Sequence, residues 1–445
     1  MPDIAPFRGI RYAARGQALS ALLAPPYDVI TPEAREALAA RNPHNAVHLI
    51  LDREGPGDGP GDDRYHRAAR RFAAWLADGT LRRDPRPALY PLEQVFVAPD
   101  GRRHVRRGVV AAVRLHDFRD GAVLPHEGTL AAPKADRLEL LKTVRANLSP
   151  VFGLHHDERN QAQAALAPAL AAEPVGEADT ADGVHHRLWR VEDPVAVAAV
   201  RRVLAERRIL IADGHHRYAA ALGYRDLVDA ATPGLAPDAG HRWVLMFLCS
   251  TGDPGLVIFP THRAVSGLRD FRAAGLAARL ERFFRVETIA EDVRRTSGRA
   301  WAVSRLAEHL GKSTAFLMVT GEDQKARLLT LRDDADLAGL SLPGDENLRA
   351  LDVTVLHAAL QGALGLSPAS QERQENLTYL KDAGEAVSRT LAGDFQAAFL
   401  LNPTPLWQVQ AVAESGEVMP QKSTWFHPKV PAGLVFREID PRGGP

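Results

Sequence analysis

The sequence predicts a mixed α/β protein of the α+β class, because its strand and helix patterns alternate and include a hairpin signal. The helical pattern "PVAVAAVRRVLAERR" runs directly into the strand pattern "ILIADG". The strand patterns "ALYPLEQVFV" and "RHVRRGVVAAVRLH" flank "APDGR", a turn typical of a β-hairpin. Hairpins among helices favour a mixed sheet over a purely parallel one.

The remaining elements follow from local start and stop signals. Thr31 and Pro32 suit the first turn of a helix, and Gly79 can end the amphipathic helix "RYHRAARRFAAWLADG". A further helix is predicted over "KADRLELLKTVRANL", and strands over "RWVLMFLCS" and "GLVIFP". Helical and strand patterns keep alternating after about residue 265, with a strand at "FQAAFLLN". No fixed-period repeat interrupts this order.

Composition narrows the classes of function. The chain has 445 residues, with 55 Lys and Arg against 55 Asp and Glu, so its formal net charge is zero. This balance argues against nucleic acid as a partner. The lone Cys249 is predicted to be a core residue, since buried thiols behave as small hydrophobes. The first residues lack a signal-peptide core and no apolar stretch is long enough for a membrane span, so we expect a cytoplasmic protein without a membrane partner.

The stretch "ADGHHRYAAAL" carries the strongest functional signal. A buried strand reaches a glycine turn at Gly214, and the first turn of the next helix has free N–H groups and a partial positive charge. Such a turn binds phosphate, and Arg217 can add a charge-assisted bond. Asp213 could hold a metal or accept a proton, and His215 or His216 could act as an acid or base. The alternative is a capped helix with solvated polar residues.

A second polar stretch, "LLAPPYDVITPE", places Asp28 before a capped helix. Asp28 is a candidate base, and the alternative interpretation is a turn residue beside a half-buried tyrosine.

The third stretch, "HEGTLAAPKADRLELL", contains the acid/base or metal-ligand candidate Glu127 beside His126. The spacing of these two residues does not match a zinc motif. Lys134 and Arg137 lie near the start of the following helix, where a positive charge interacts unfavourably with the helix dipole. We therefore predict that these two residues bind a ligand. A polar loop and a solvated helix face are the alternative.

The fourth stretch, "GEVMPQKSTWFHPKVPAG", mixes cations and hydroxyls with aromatic residues. Lys422, Ser423 and Thr424 suit an anionic ligand, and His427 and Lys429 follow them. A surface loop packed by its own aromatic side chains is the alternative interpretation.

These stretches together resemble the bacterial and archaeal domain-of-unknown-function family numbered 1015. The matching segments span nearly the whole chain in order: "FRGIRY", "APPYDVI", "NPHNAVHLIL", "HEGTLAAPKADRLELL", "NLSPVFGL", "ADGHHRYAAAL", "FPTHRAV", "LDVTVLH" and "MPQKSTWFHPK". The turn Asp213–Arg217 also resembles the phosphate-binding D-G-H-H-R run of free-serine kinases in the ParB/sulfiredoxin superfamily. The resemblance implies a ParB/sulfiredoxin-like core with an inserted hairpin and helices over residues 1–264, and a C-terminal mixed α/β domain over residues 265–445.

The leading functional hypothesis is a phosphotransferase that acts on a small hydroxyl metabolite, with serine implied by the resemblance. It would use ATP or ADP with Mg²⁺, with Asp213 and Glu127 as candidate metal ligands. Gly214, Arg217, Lys134, Arg137, Lys422, Ser423 and Thr424 are the candidate ligand-binding residues, and Asp213, His215, His216, Glu127 and Asp28 are the catalytic candidates. The alternatives are a phosphatase of a small phosphate ester such as phosphoserine, and a nucleotide-sensing or DNA-binding regulator. Oligomeric state is left open.

Overall fold

The computed structural model describes residues 2–99, 101–335 and 337–445. The strands of the first half are β1 (Ile4–Ala5), β2 (Ile10–Tyr12), β3 (Leu81–Arg83), β4 (Tyr90–Val97), β5 (Arg103–Arg114), β6 (Val123–Leu124), β7 (Ala146–Asn147), β8 (Val151–His155), β9 (Gly176–Asp179), β10 (His185–Leu188), β11 (Ile209–Asp213) and β12 (Trp243–Ser250). Those of the second half are β13 (Val257–Phe259), β14 (His262–Val265), β15 (Phe284–Thr288), β16 (Ala315–Thr320), β17 (Lys325–Leu331), β18 (Leu377–Leu380), β19 (Ala397–Leu401), β20 (Trp425–His427) and β21 (Arg437–Glu438).

The helices lie between these strands. They are α1 (Gly16–Ser20), α2 (Pro32–Arg41), α3 (Val47–Ile50), α4 (Arg64–Ala77), α5 (Ala131–Val144), α6 (Gln161–Leu166), α7 (Pro194–Ala205), α8 (His215–Ala231), α9 (Ala273–Leu280), α10 (Thr296–Ala307), α11 (Glu346–Arg349), α12 (Asp352–Leu364), α13 (Pro368–Glu372), α14 (Ala383–Leu391) and α15 (Leu406–Glu414). Within the described ranges, none of them combines the length and apolar character that crossing a membrane requires.

The chain divides into two compact units. The first contains residues 2–125, 129–256 and 428–445, and the second contains residues 126–128 and 257–427. The first unit therefore takes the last stretch of the chain as well as its first half. The domain boundary expected after residue 264 stays a prediction.

The first unit is built on a mixed sheet in the order β6-β11-β8-β12-β5-β4-β10-β9, with β1 also paired to β5. Strand β11 runs parallel to β6 and antiparallel to β8, and β12 runs parallel to β8 and antiparallel to β5. The predicted hairpin is confirmed by the antiparallel pair β4 and β5, although Asp100 in its turn lies outside the described residues. The α+β class is therefore confirmed.

The core of the first unit lies between this sheet and the helices α5, α7 and α8. It contains apolar side chains of all these elements, among them Val151, Leu204, Ile211, Tyr218 and Met246. Cys249 is fully buried in β12, as the sequence predicts. Burial of this continuous apolar surface holds the ends of β8 and β11 rigidly beside the first turn of α8.

The second unit has a separate sheet in the order β15-β17-β16-β19-β14-β18 and a separate apolar core. Its strands pair antiparallel throughout this order. The ribbon of β13 and β20 also belongs to this unit and pairs Phe259 with Trp425.

The register of β5 against β12 can be tested at Gly108. A Cβ atom at this position would lie 2.4 Å from the carbonyl oxygen of Leu248. We expect Gly108→Ala to lower the free energy of unfolding by about 1–3 kcal/mol, because the backbone must move to admit the methyl group. Urea denaturation followed by circular dichroism measures this change.

Gly223→Ala in α8 is the matched control. Its Cβ would meet only Leu138, at 3.7 Å, so alanine is expected to stabilise the helix by about 0.5–1 kcal/mol. A Gly108→Ala protein as stable as the wild type would contradict the pairing of these two strands.

Candidate functional site

The turn between β11 and α8 is shaped by a bulge and a glycine. The pairing of β11 with β8 shifts between Ile211 and Asp213, a β-bulge that re-aims the last side chain of the strand. Gly214 then adopts φ 92° and caps the N-terminus of α8. A Cβ there would lie 2.9 Å from the guanidinium of Arg217. Glycine therefore supplies the left-handed backbone and the space for this arginine.

Asp213 is a buried carboxylate that contacts two cations. Arg217 Nη2 donates to its Oδ2 at 2.6 Å, and Lys429 Nζ donates to its Oδ1. Burial by itself would raise the pKa of the Asp213 carboxyl, but Lys429 and Arg217 outweigh it and hold this pKa well below its usual range. Asp213 is therefore ionised at neutral pH and is poorly suited to act as a general base.

Arg217 donates hydrogen bonds from two of its three side-chain nitrogen atoms. Its side chain is 9% exposed, and Nη1 donates to the carbonyl oxygen of Pro150. Its Nε is buried and has no hydrogen-bond partner among the described residues. The guanidinium thus keeps unused donor capacity close to the first turn of α8.

Lys429 reaches Asp213 because a buried arginine holds its backbone. Arg106 is fully buried, and its guanidinium donates to the carbonyl oxygen of Pro428 and to the side-chain oxygen of Gln94. Gln94 Nε2 in turn donates to the carbonyl oxygen of Lys429 at 3.2 Å. Burial lowers the pKa of Arg106 to about 10, which still leaves it charged at neutral pH.

The two histidines of the turn differ in their surroundings. His215 is buried, and its ring contributes to lowering the pKa of Asp213. His216 is half-buried, and its Nε2 accepts the backbone N–H of Leu130 at 3.0 Å. His216 thereby joins α8 to the chain that enters α5.

A second basic group lies beside the same turn. Arg137 is buried in α5, with its guanidinium 4.0 Å from the ring centre of Tyr27 and Nη1 donating to the carbonyl oxygen of Ile50 at 2.7 Å. Burial raises the pKa of Tyr27 to about 12, and the charges of Arg137 and Arg217 act against this rise. Both arginines therefore lie within electrostatic reach of Tyr27.

Asp136 partly neutralises this group. It accepts Arg137 Nε at 2.7 Å, Arg64 Nη2 at 2.8 Å and the hydroxyl of Tyr65 at 2.7 Å. Burial would raise the pKa of Asp136, but Arg137 and its other donors lower it. Arg64 also pairs with Glu54 at 3.2 Å, so the two arginines are formally balanced by two carboxylates.

Two other candidates in the first unit are exposed. Asp28 lies in the short turn Tyr27–Val29 and is exposed, and Lys134 is exposed in the first turn of α5. The roles predicted for them stay predictions.

The space beside the turn is limited. Arg137 and Arg217 both line a cavity of about 50 Å³ whose other walls are mostly apolar, including Leu140, Leu148 and Val151. This volume suits a few water molecules. A ligand larger than this cavity would have to extend beyond it into solvent.

A larger cleft of about 810 Å³ lies elsewhere in the first unit. Three of its arginines have acidic partners: Arg201 and Arg114 pair with Asp3, at 3.2 Å and 3.8 Å, and Arg83 pairs with Glu438. This cleft has the volume for a small molecule, but its charges are largely balanced.

The second unit brings two of the predicted stretches together. His126 is fully buried, and its Nε2 lies 2.9 Å from the hydroxyl of Thr424 and 3.9 Å from Oε1 of Glu127. Met419 donates its backbone N–H to the carbonyl oxygen of His126 at 2.8 Å. The loop of Glu127 and the segment before β20 therefore form one polar cluster.

The other residues of this segment differ in exposure. Ser423 is buried and its hydroxyl donates to the carbonyl oxygen of Pro420, whereas Lys422 is exposed. Arg263 is buried and donates to the carbonyl oxygen of Lys422 at 3.1 Å. Burial lowers the pKa of Arg263 to about 10, with the charge of Glu127 acting in the opposite direction. Arg263 therefore anchors the backbone of the segment.

The metal-ligand roles predicted for Asp213 and Glu127 stay predictions. Across residues 2–99, 101–335 and 337–445, no group of three or more His, Cys, Asp or Glu side chains is placed to hold an ion. Both oxygens of Asp213 already contact cations.

Sequence reasoning missed the pairing of Lys429 with Asp213, which are 216 residues apart. Lys429 was visible as a cation in the fourth stretch, but nothing local to it indicates its partner. The buried Arg106 that positions it gives no signal within an otherwise ordinary strand pattern.

The family profile described as "Protein of unknown function (DUF1015)" matches residues 4–354. This chain belongs to the DUF1015 family. The family resemblance expected from the nine segments is thereby confirmed. A comparison with curated protein sequences gives no match.

Several solved structures are distantly similar to this DUF1015 protein. A structure titled "Free serine kinase in complex with AMP" is 13% identical, with a TM-score of 0.37, over 75% of this chain and 91% of its own. A conserved hypothetical protein from Pyrococcus furiosus is 14% identical, with a TM-score of 0.34, over 75% and 95%. SbnI with a C-terminal truncation, from Staphylococcus aureus, is 10% identical, with a TM-score of 0.34, over 75% and 87%.

The ion pairs of Asp213 predict a pH-dependent stability difference. We expect Asp213→Asn to lower the free energy of unfolding at neutral pH by about 3–5 kcal/mol, because two cations lose their buried partner. The folded pKa of Asp213 is lowered, so this contribution is complete above the unfolded value of about 3.9 and declines as pH falls below it. Urea denaturation of both proteins from neutral pH down to about pH 3 measures the difference.

The gap between wild type and variant should stay constant down to about pH 5 and shrink below about pH 4. Asp226→Asn is the control, because Asp226 is exposed and pairs only at the surface. A gap that widens on acidification would contradict a lowered pKa at Asp213.

Proposed function

We propose that the first unit binds the phosphate group of a small phosphate ester or nucleotide at the N-terminus of α8. The observation that carries this proposal is the convergence of Arg217 and Lys429 on one carboxylate beside the first turn of a 17-residue helix. Two cations and one anion leave a formal surplus of one positive charge. The helix N-terminus adds its own partial positive charge and backbone donors.

The second basic group supports a ligand with more than one anionic centre. Arg137 lies beside Tyr27 and lines the same cavity as Arg217. The guanidinium of Arg137 could donate hydrogen bonds to a second phosphate or to another polar group of the ester. The aromatic ring of Tyr27 holds that guanidinium in place through a cation–π contact.

The activity proposed for this site is phosphoryl transfer to a small hydroxyl compound such as serine, with ATP or ADP as the donor. Phosphoryl transfer depends mainly on positioning and on neutralising charge, which Arg217, Lys429 and the helix N-terminus would supply. Asp213 would hold the two cations in place before the ligand binds, since its lowered pKa disfavours a role as base. His215, His216 and Asp28 are the remaining acid/base candidates of this unit, with Lys134 as a further ligand contact. The roles predicted for Glu127, Lys422, Ser423 and Thr424, which lie in the second unit, stay predictions.

Mg²⁺ is proposed only as a companion of the nucleotide. The described residues include no cluster of three or more His, Cys, Asp or Glu side chains that could hold a metal ion. Mg²⁺ is commonly held by substrate phosphates and water with few protein ligands. No step of the proposed activity is assigned to it.

The first test is phosphate-ligand binding by Arg217→Ala. Loss of a charge-assisted contact should cost about 1.5–3 kcal/mol, which corresponds to about 10- to 150-fold weaker binding. Isothermal titration calorimetry with AMP, ADP, ATP and phosphoserine, each with and without Mg²⁺, measures the affinities.

Arg225→Ala is the matched control. Arg225 lies on the same helix, is 15% exposed and pairs with Asp117 at 3.1 Å. The Arg225→Ala protein should bind each ligand with the affinity of the wild type. Equal affinities for wild type and a folded Arg217→Ala protein would reject the site.

Turnover separates the proposed activities. We expect the wild type with ATP or ADP and serine to form phosphoserine, which phosphorus NMR detects, and Lys429→Gln to slow this reaction at least about tenfold through loss of charge-assisted contacts. Release of inorganic phosphate from phosphoserine alone would indicate the phosphatase instead. Nucleotide binding without any turnover would indicate a nucleotide-sensing protein, and its DNA affinity would then be measured against salt concentration.

A further inference from the structure

The carboxylate of Asp213 lies where an anionic ligand would be expected. It contacts both Arg217 and Lys429, and it lies at the residue before the glycine that caps α8. These are the groups that the proposed function assigns to a ligand phosphate. A phosphate that takes over the N–H groups now donated to Asp213 must displace the carboxylate oxygens that accept them.

The unused donor of Arg217 indicates that the carboxylate satisfies the site only in part. Arg217 Nε is buried without a hydrogen-bond partner in the described chain, in a side chain that is 9% exposed. The guanidinium packs against Gly214 at the start of α8. A buried donor without a partner is costly, and a tetrahedral anion with more oxygens than a carboxylate could accept from it.

We infer that Asp213 occupies the phosphate position in the ligand-free protein and that the incoming phosphate displaces it from Arg217 and Lys429. The inference rests on the proposed function, because it concerns the same site. It assigns to Asp213 the role of an internal competitor of the ligand.

The exchange restricts the ligand to anions with more than one charge. Asp213 is tethered beside its partners, so it competes at a high effective concentration. A singly charged anion would replace one unit charge by another and gain no Coulomb energy. A dianionic terminal phosphate gains a second unit of charge against the same two cations. The ligand class is therefore a phosphate monoester or a nucleotide with a free terminal phosphate.

A buried arginine would face the displaced carboxylate. Arg106 stays charged at neutral pH and interacts electrostatically with Asp213. Release from Arg217 and Lys429 therefore does not leave the carboxylate without positive charge nearby.

The first experiment measures anion binding by Asp213→Asn. Calorimetry at about pH 8 uses inorganic phosphate, which is then mostly dianionic, and dimethyl phosphate, which carries one charge. We expect the wild type to bind phosphate but not dimethyl phosphate. The Asn variant should bind phosphate at least about tenfold more tightly than the wild type and should also bind dimethyl phosphate. Weaker phosphate binding by the Asn variant would overturn the inference and make Asp213 a positioning residue.

The second experiment does not depend on the stability of the variant. A crystal structure of the wild-type protein with phosphate should show a phosphate oxygen within hydrogen-bond distance of Arg217 Nη2 and Asp213 Oδ2 beyond it. Phosphate bound with both ion pairs of Asp213 intact would overturn the inference and leave the proposed function standing. Absence of phosphate binding in both the wild type and the Asn variant would overturn the two together.

Discussion

The contact of Asp213 with Arg217 and Lys429 is the interaction on which the arrangement of the first unit depends. A buried carboxylate is stable only with partners that replace its lost hydration. Arg217 follows on the next turn of α8, so the helix must begin immediately after the strand. Lys429 comes from 216 residues further along the chain, so the last segment must return to the sheet.

That return is secured by backbone contacts in the interior. Arg106 and Gln94 lie on the neighbouring strands β5 and β4 and hold the carbonyl groups of Pro428 and Lys429. Because Arg106 donates to a carbonyl group and not to a carboxylate, it positions the backbone beside Lys429 and keeps its own positive charge. The ammonium group of Lys429 is thus delivered to Asp213 by the rigid sheet, and a flexible side chain makes only the last contact.

In the second unit, too, a buried arginine holds a segment through its backbone carbonyl groups. Arg263 bonds to the carbonyl groups of Thr261 and Lys422, and His126 meets Thr424. The chain that carries Glu127 and the chain that precedes β20 are held together in this way. A phosphate ligand is not required to explain this cluster, because burial alone demands that each of these polar groups find a partner.

Local patterns were enough to predict the α+β class, the hairpin of β4 and β5, the buried Cys249 and the strand–glycine–helix turn at Gly214. Hydrophobic periodicity and glycine turns act over a few residues, so they can be interpreted from the sequence without knowing the fold. Three features depended on contacts between residues far apart in the sequence: the pairing of Asp213 with Lys429, the inclusion of residues 428–445 in the first unit, and the contact of His126 with Thr424. Ion pairs and buried hydrogen bonds form between whichever groups the fold brings together, and their partners leave no periodic signal in the sequence.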